Sequence, residues 1–176
     1  SATTDKPTLG FDTGPANTLL DQWISRQLGM PYDDRGQFGA KGTPIDALLT
    51  LMLADPYFSR AIPKSTGLEY FNLNWLMHLI EKANATDCAA EDVQATLQQL
   101  TAITISQALN QYAPKGGELL VCGGGVHNAR LMELLYKQVE NYQITSTQEF
   151  GIDPDLVEAI AFAWLAKRTI ENLPGN

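Results

Sequence analysis

Apolar residues recur at the three-and-four spacing of helices in six stretches of the chain. Leu19, Leu20, Trp23, Ile24 and Leu28 form the first, which Gly29 and Pro31 close. Thr43 as N-cap and Pro44 at the first helical position open the second, with Ile45, Leu48, Leu49, Met52 and Leu53 along it until Asp55-Pro56 stops it. An aromatic-rich helix is predicted over Asn74–Ala83, and a long one over Asp92–Tyr112, capped within Asp87 to Glu91 and ended by Pro114 and Gly116-Gly117. Asn128–Glu140 and Pro154–Asn172 complete the set, the last through Val157, Ile160, Ala161, Trp164 and Leu165. Trp23, Trp75 and Trp164 each sit in a helical apolar pattern and are expected in the core.

Three short runs read as strands instead. Leu9-Gly10-Phe11 leads into the turn Asp12-Thr13-Gly14-Pro15, and Tyr142–Ser146 is a further candidate. Leu119–Cys122 is an unbroken apolar run bounded by glycines, the pattern of a strand buried on both faces. Helices alternating with so few strands predict a helix-rich α/β domain with a small sheet and flanking helices. A complete doubly wound domain normally has more strands than three.

The 176 residues suit one domain, and 44% hydrophobic residues supply its core. A net charge of −8 repels phosphate backbones and anionic lipids, so neither nucleic acid nor a membrane is an expected partner. It does not exclude one small phosphorylated ligand, because a ring of backbone N–H groups binds an anion locally. Cys88 and Cys122 lie 34 residues apart with no second ligand at metal spacing, which implies neither a disulfide framework nor a zinc site. The polar start, Ser1 to Thr8, lacks the apolar stretch of a signal peptide, so a cytoplasmic location is expected and residues 1–8 read as a disordered tail or a remnant of processing or cloning.

The glycine triplet Gly123-Gly124-Gly125 is the strongest site signal. It follows a strand and precedes a helix, where backbone can approach a ligand closely and free N–H groups favour phosphate. The alternative is a tight turn that binds nothing. Asn128 stands where the dinucleotide fingerprint would need glycine, and Pro63–Gly67 lacks the leading glycines of a P-loop. Asp12, at the end of an apolar run, is placed to act as a general base, to hold a metal, or simply to shape the turn. Asp33 and Asp34 are either a metal pair or solvated surface. Glu158, the one acid among Leu156, Val157, Ile160, Ala161 and Phe162, is either a structural glutamate or a functional one. His78 is expected in the core or an interface, whereas His127, directly after Val126 and the triplet, is better placed to meet a ligand.

Four segments in order resemble the anhydro-N-acetylmuramic acid kinase family: Gly10 to Asn17, Pro63–Gly67 leading to Phe71-Asn72 and Trp75-Leu76, Cys122 to Asn128, and Val157 to Ala166 followed by Leu173-Pro174-Gly175-Asn176. The resemblance implies the actin, heat-shock-70 and sugar-kinase superfamily, with a ribonuclease-H-like, actin-like ATPase fold in which two α/β domains enclose ATP and Mg2+. It implies a reaction in which the 1,6-anhydro ring of anhydro-N-acetylmuramic acid is opened by water while its 6-oxygen takes the γ-phosphate, a step in cell-wall recycling. Asp12 is then similar to the catalytic base, Gly123, Gly124 and Gly125 with His127 and Asn128 to the nucleotide side, and Glu158 to a sugar-facing residue. No residue is assigned to the metal.

The family's N-terminal Gly-Thr-Ser-x-Asp-Gly phosphate loop occurs nowhere in this sequence. Residues 9–176 are therefore expected to be the C-terminal kinase domain, inactive without the missing N-terminal domain. A non-catalytic nucleotide- or sugar-binding module, or an interaction domain forming a homodimer through apolar surface, is the alternative.

Overall fold

The structure, a computed structural model, describes residues 9–113 and 115–174. The expected tail, residues 1–8, lies outside them, as do Gly175 and Asn176. Seven helices and two strands follow in order: α1 (Asn17–Leu28), α2 (Asp46–Leu53), α3 (Pro56–Ser59), α4 (Leu73–Lys82), α5 (Ala90–Tyr112), β1 (Gly117–Val121), α6 (Ala129–Gln138), β2 (Tyr142–Ser146) and α7 (Val157–Ile170).

Local chemistry sets most of the boundaries. Asn72 and Asn128 cap α4 and α6 by accepting hydrogen bonds from the Trp75 and Leu131 backbone N–H groups. Gly29, in the left-handed region at φ 67°, ends α1. Asp55-Pro56 does more than stop α2: Asp55 accepts from the Tyr57 N–H and Pro56 occupies the first turn of a new short helix, α3. The second helix starts at Asp46, later than Thr43-Pro44 suggested, because the Thr43 and Ile45 N–H groups are bonded to Asp92 and Thr96 of α5.

Two apolar clusters share α5. The first joins Leu19, Leu20, Trp23 and Ile24 of α1, Leu48 and Met52 of α2, Tyr57 of α3, Leu76 and Ile80 of α4, and Val93, Leu97 and Leu100 of α5. Each fully buried large side chain there contributes about 1.5–3 kcal/mol. Asp55 also anchors an aromatic group at its edge, accepting from Tyr70 Oη at 2.6 Å and Trp75 Nε1 at 2.9 Å. The second cluster packs Ala102 of α5 against Leu131, Leu134 and Leu135 of α6, with Val139 and Ile144.

β1 and β2 pair in parallel, from Gly117 beside Tyr142 to Val121 beside Ser146, and α6 makes the crossover. Three expectations fail here. Leu9-Gly10-Phe11 forms no strand, since its main chain finds no ladder partner among the described residues; Phe11 instead packs edge-to-face on Tyr112. β1 is covered on one face only, with Leu120 43% exposed, because α5 and α6 lie on the other side. Trp164 is 47% exposed, since α7 buries none of its residues in this chain. His78 is exposed on α4, which removes the core alternative for it and leaves the interface one open.

Candidate functional site

Asp12 is held by remote backbone. Its N–H donates to the Lys64 carbonyl at 3.0 Å, its carbonyl accepts from Tyr57 Oη at 2.9 Å, and its Oδ2 accepts from the Thr66 N–H at 2.9 Å. A turn-forming aspartate would bond two residues along. Asp12 reaches across 54 residues instead. The loop it grips is itself fixed, with Lys64 Nζ donating to the Tyr57 and Phe58 carbonyls and lying 4.8 Å from the centre of the Tyr57 ring. Burial, and then the Arg60 charge, lowers the Lys64 pKa from its ordinary value. Burial raises that of Tyr57, with the Asp12 charge adding to it against Arg60. The Asp12 side chain is exposed, and among the described residues its Oδ1 accepts no hydrogen bond.

The glycine triplet follows β1 as expected. Gly123 adopts φ 71°, a region that favours glycine, and the chain then winds through a 3-10 turn, Gly124–His127, into α6. The Gly123 N–H donates to the Pro154 carbonyl at 2.8 Å. Asn128 is buried, and its Oδ1 is engaged in capping α6. His127 stays exposed, with Nε2 at 3.1 and 3.2 Å from the two carboxylate oxygens of Asp155.

A cavity of about 590 Å3 opens beside this turn. Asn17 and Asp21 of α1, Tyr32, Asp34 and Arg35 of the following loop, and Gly124, His127 and Asn128 line it. Two non-glycine residues hold left-handed backbone at its edge, Ala16 at φ 44° and Arg35 at φ 54°. Such conformations cost of order 1–3 kcal/mol and persist only where the surroundings enforce them. Asp33 helps fix the loop that carries Arg35. It is 7% exposed, not solvated surface as its neighbour Asp34 is, and it accepts from the Phe38 N–H at 2.8 Å and the Gly39 N–H at 3.0 Å, with Gln94 and Gln98 Nε2 at 3.4 Å. Gly36, at φ 70°, lets the loop lie against Asn128, whose side chain a Cβ would strike. Burial, and secondarily the Asp33 charge, raises the Asp21 pKa.

The cavity thus gathers Gly124, His127 and Asn128, whereas Asp12 and Glu158 do not line it. Glu158 stands exposed in the first turn of α7. No group of three or more His, Cys, Asp or Glu among the described residues is placed to hold a metal ion. Sequence patterns missed the Asp33 anchor and the 32–35 wall; the Gly36 and Gly39 spacing after Asp33 was the available signal, legible only once those glycines are known to face Asn128 and Gln98.

The body is a helix-rich α/β domain with a two-stranded parallel sheet, carrying a glycine turn between strand and helix at the edge of a cavity. A family model described as anhydro-N-acetylmuramic acid kinase matches residues 2–176. The chain belongs to this family. Similar proteins named anhydro-N-acetylmuramic acid kinase come from Pseudomonas syringae pv. syringae, 49% identical over 98% of this chain and 47% of that protein, and from Coxiella burnetii strain Dugway 5J108-111, 46% identical over 98% and 45%. One from Cupriavidus metallidurans is 45% identical over the whole of this chain and 46% of its own length. The chain spans about half the length of the curated relatives it matches.

Proposed function

We propose that residues 9–176 are the C-terminal domain of an ATP-dependent kinase that opens the anhydro ring of anhydro-N-acetylmuramic acid and phosphorylates its 6-oxygen. Family membership supports the substrate and the reaction class. The observation that carries the nucleotide assignment is the glycine turn. Gly124 and Gly125 have no left-handed backbone and would each place a Cβ at ordinary contact distance, 3.6 and 3.7 Å from Asn17, so the fold itself does not require glycine at either position. A ligand approaching the main chain does. Gly123, Gly124 and Gly125, with His127 and Asn128 beside them, are the proposed nucleotide side, and the adjoining cavity has room for a small ligand.

Bound Mg-ATP would supply the phosphoryl group, with the metal neutralising charge on its oxygens. Asp12 would accept the proton of the water that attacks the anomeric carbon. Its three backbone-linked hydrogen bonds suit that task, because a general base needs fixed geometry, and one carboxylate oxygen faces outward. Glu158 would contact the sugar from the first turn of α7. Phosphoryl transfer needs charge stabilisation from both sides of a cleft, so the remaining half of the protein would bring the phosphate loop, and the 176-residue chain alone would be inactive. The apolar residues exposed on α7 support packing against that half, and a homodimer of the isolated chain is the companion expectation. No helix among the described residues is long and apolar enough to cross a membrane, and a cytoplasmic site of action is proposed.

In the full-length protein, Asp12→Asn should lower kcat by about 10²–10⁴-fold while leaving the melting temperature close to wild type. Near-normal turnover would remove Asp12 as the base. Size-exclusion chromatography of the 176-residue chain tests association, and an elution volume of a monomer at all concentrations would count against the homodimer.

A further inference from the structure

The glycine turn and the start of α7 are joined at two points. The Gly123 N–H donates to the Pro154 carbonyl at 2.8 Å, and His127 Nε2 lies between the two oxygens of Asp155 at 3.1 and 3.2 Å. Asp153 closes the connection by accepting from the Asp155 N–H at 2.9 Å, which orients the Asp155 side chain toward the turn. Three residues later in the same helical run stands Glu158. None of the α7 side chains is buried in this chain, so side-chain packing does not fix where the helix begins. The hydrogen bonds at its start do.

We infer that His127 is a positioning residue: it acts through Asp155 to fix the first turn of α7, and with it Glu158, against the glycine turn. Pro154 is buried and its carbonyl is bonded, so the main-chain link sets the distance between turn and helix. The His127–Asp155 pair then sets the rotation of the helix about that link. His127 and Asp155 are 61% and 59% exposed, and an exposed pair contributes only about 0–1 kcal/mol. That is too little to hold a domain together, but it is enough to change the population of one helix orientation severalfold. Only the last step, from helix orientation to sugar contact, rests on the kinase reading above.

Hydrogen exchange of the 176-residue chain without ligand tests the tether independently of that reading. Amides of residues 156–165 should exchange roughly threefold faster in both His127→Ala and Asp155→Ala, with the amides of α5 unchanged. Rates equal to wild type in Asp155→Ala would overturn the inference. Steady-state kinetics test the consequence. In the full-length protein Asp155→Ala, which leaves the nucleotide side intact, should lower kcat/KM for the sugar roughly fivefold with KM for ATP unchanged, and adding His127→Ala should cost little further in kcat/KM for the sugar. His127→Gln, which keeps a donor for Asp155, should recover most of the loss. Normal kcat/KM for the sugar in Asp155→Ala, with a raised KM for ATP in His127→Ala, would make His127 a nucleotide contact only and overturn the inference. If the wild-type protein shows no ATP-dependent sugar phosphorylation, the kinase reading fails and the exchange rates still decide the tether.

Discussion

Helices α5 and α7 invert the usual relation between polarity and burial. The first carries Gln94, Thr96, Gln98, Thr101, Thr104 and Ser106, all buried, in a helix surrounded by α1, α2 and α6. The second carries Ile160, Phe162, Trp164, Leu165 and Ile170, all exposed. The difference lies in what surrounds each helix. On α5, the Thr96 and Thr101 hydroxyls donate back to carbonyls one turn earlier, Ser106 donates to the Gln138 carbonyl at 3.0 Å, and the two glutamine amides point at Asp33. Hydroxyls satisfied in this way are buried at little cost, whereas Gln94 Oε1 and Gln98 Oε1 are buried without a hydrogen-bond partner among the described residues. On α7 none of the apolar residues is buried by the described residues, and Trp164 has only the Arg168 side chain over its ring. A helix's composition states what it would tolerate; the neighbours available decide what it gets.

The sharpest way to break this comparison is truncation on both helices in the 176-residue chain. Leu100→Ala on α5, fully buried, should destabilise by about 2–5 kcal/mol in urea denaturation, whereas Trp164→Ala on α7 should fall within about 0.5 kcal/mol of wild type. Equal losses would mean that α7 is packed in solution. Asp33→Ala probes why the polar face of α5 is tolerated. It leaves the Phe38 and Gly39 N–H groups without their acceptor and should cost about 1–3 kcal/mol, with Asp33→Asn milder because one oxygen remains.

The smallest effect sharpens the comparison by pH. Burial and the Asp33 charge give Asp21 a raised pKa in the folded chain, so its favourable contribution is complete below the unfolded value near 3.8 and is lost as pH rises through the folded value. Asp21→Asn should therefore raise the melting temperature at pH 7, and the difference should vanish near pH 3. A difference that grew on acidification would reverse the assigned sign.

Much of this molecule was legible as local chemistry. The stop at Gly29 and the strand–glycine–helix unit around Gly123 arise from groups within a few residues of one another, as do the Asn72 and Asn128 caps that the sequence reading did not single out. Of the triplet, Gly124 lines the cavity. What escaped were long-range dependencies. Leu9-Gly10-Phe11 has strand composition, but a strand exists only with a partner to complete its hydrogen bonds. Asp33 looked like a solvated acid beside Asp34, and only the folding of α5 across the loop places Gln94 and Gln98 next to it. Asp12 resembled a turn residue until the 57–66 segment was found to hold it.

The sequence by itself determined the helix periods, the stop at Gly29, the glycine turn and family membership, because each is carried by residue types at short, fixed spacing. Tertiary structure alone decided which of those residues meet. It brought α1, the 32–35 loop and the glycine turn around one cavity, tied His127 to Asp155, and left α7 uncovered. The physical reason is range. Backbone propensity and capping act within about one helical turn, whereas burial and hydrogen-bond satisfaction depend on surfaces that lie tens of residues away in the chain.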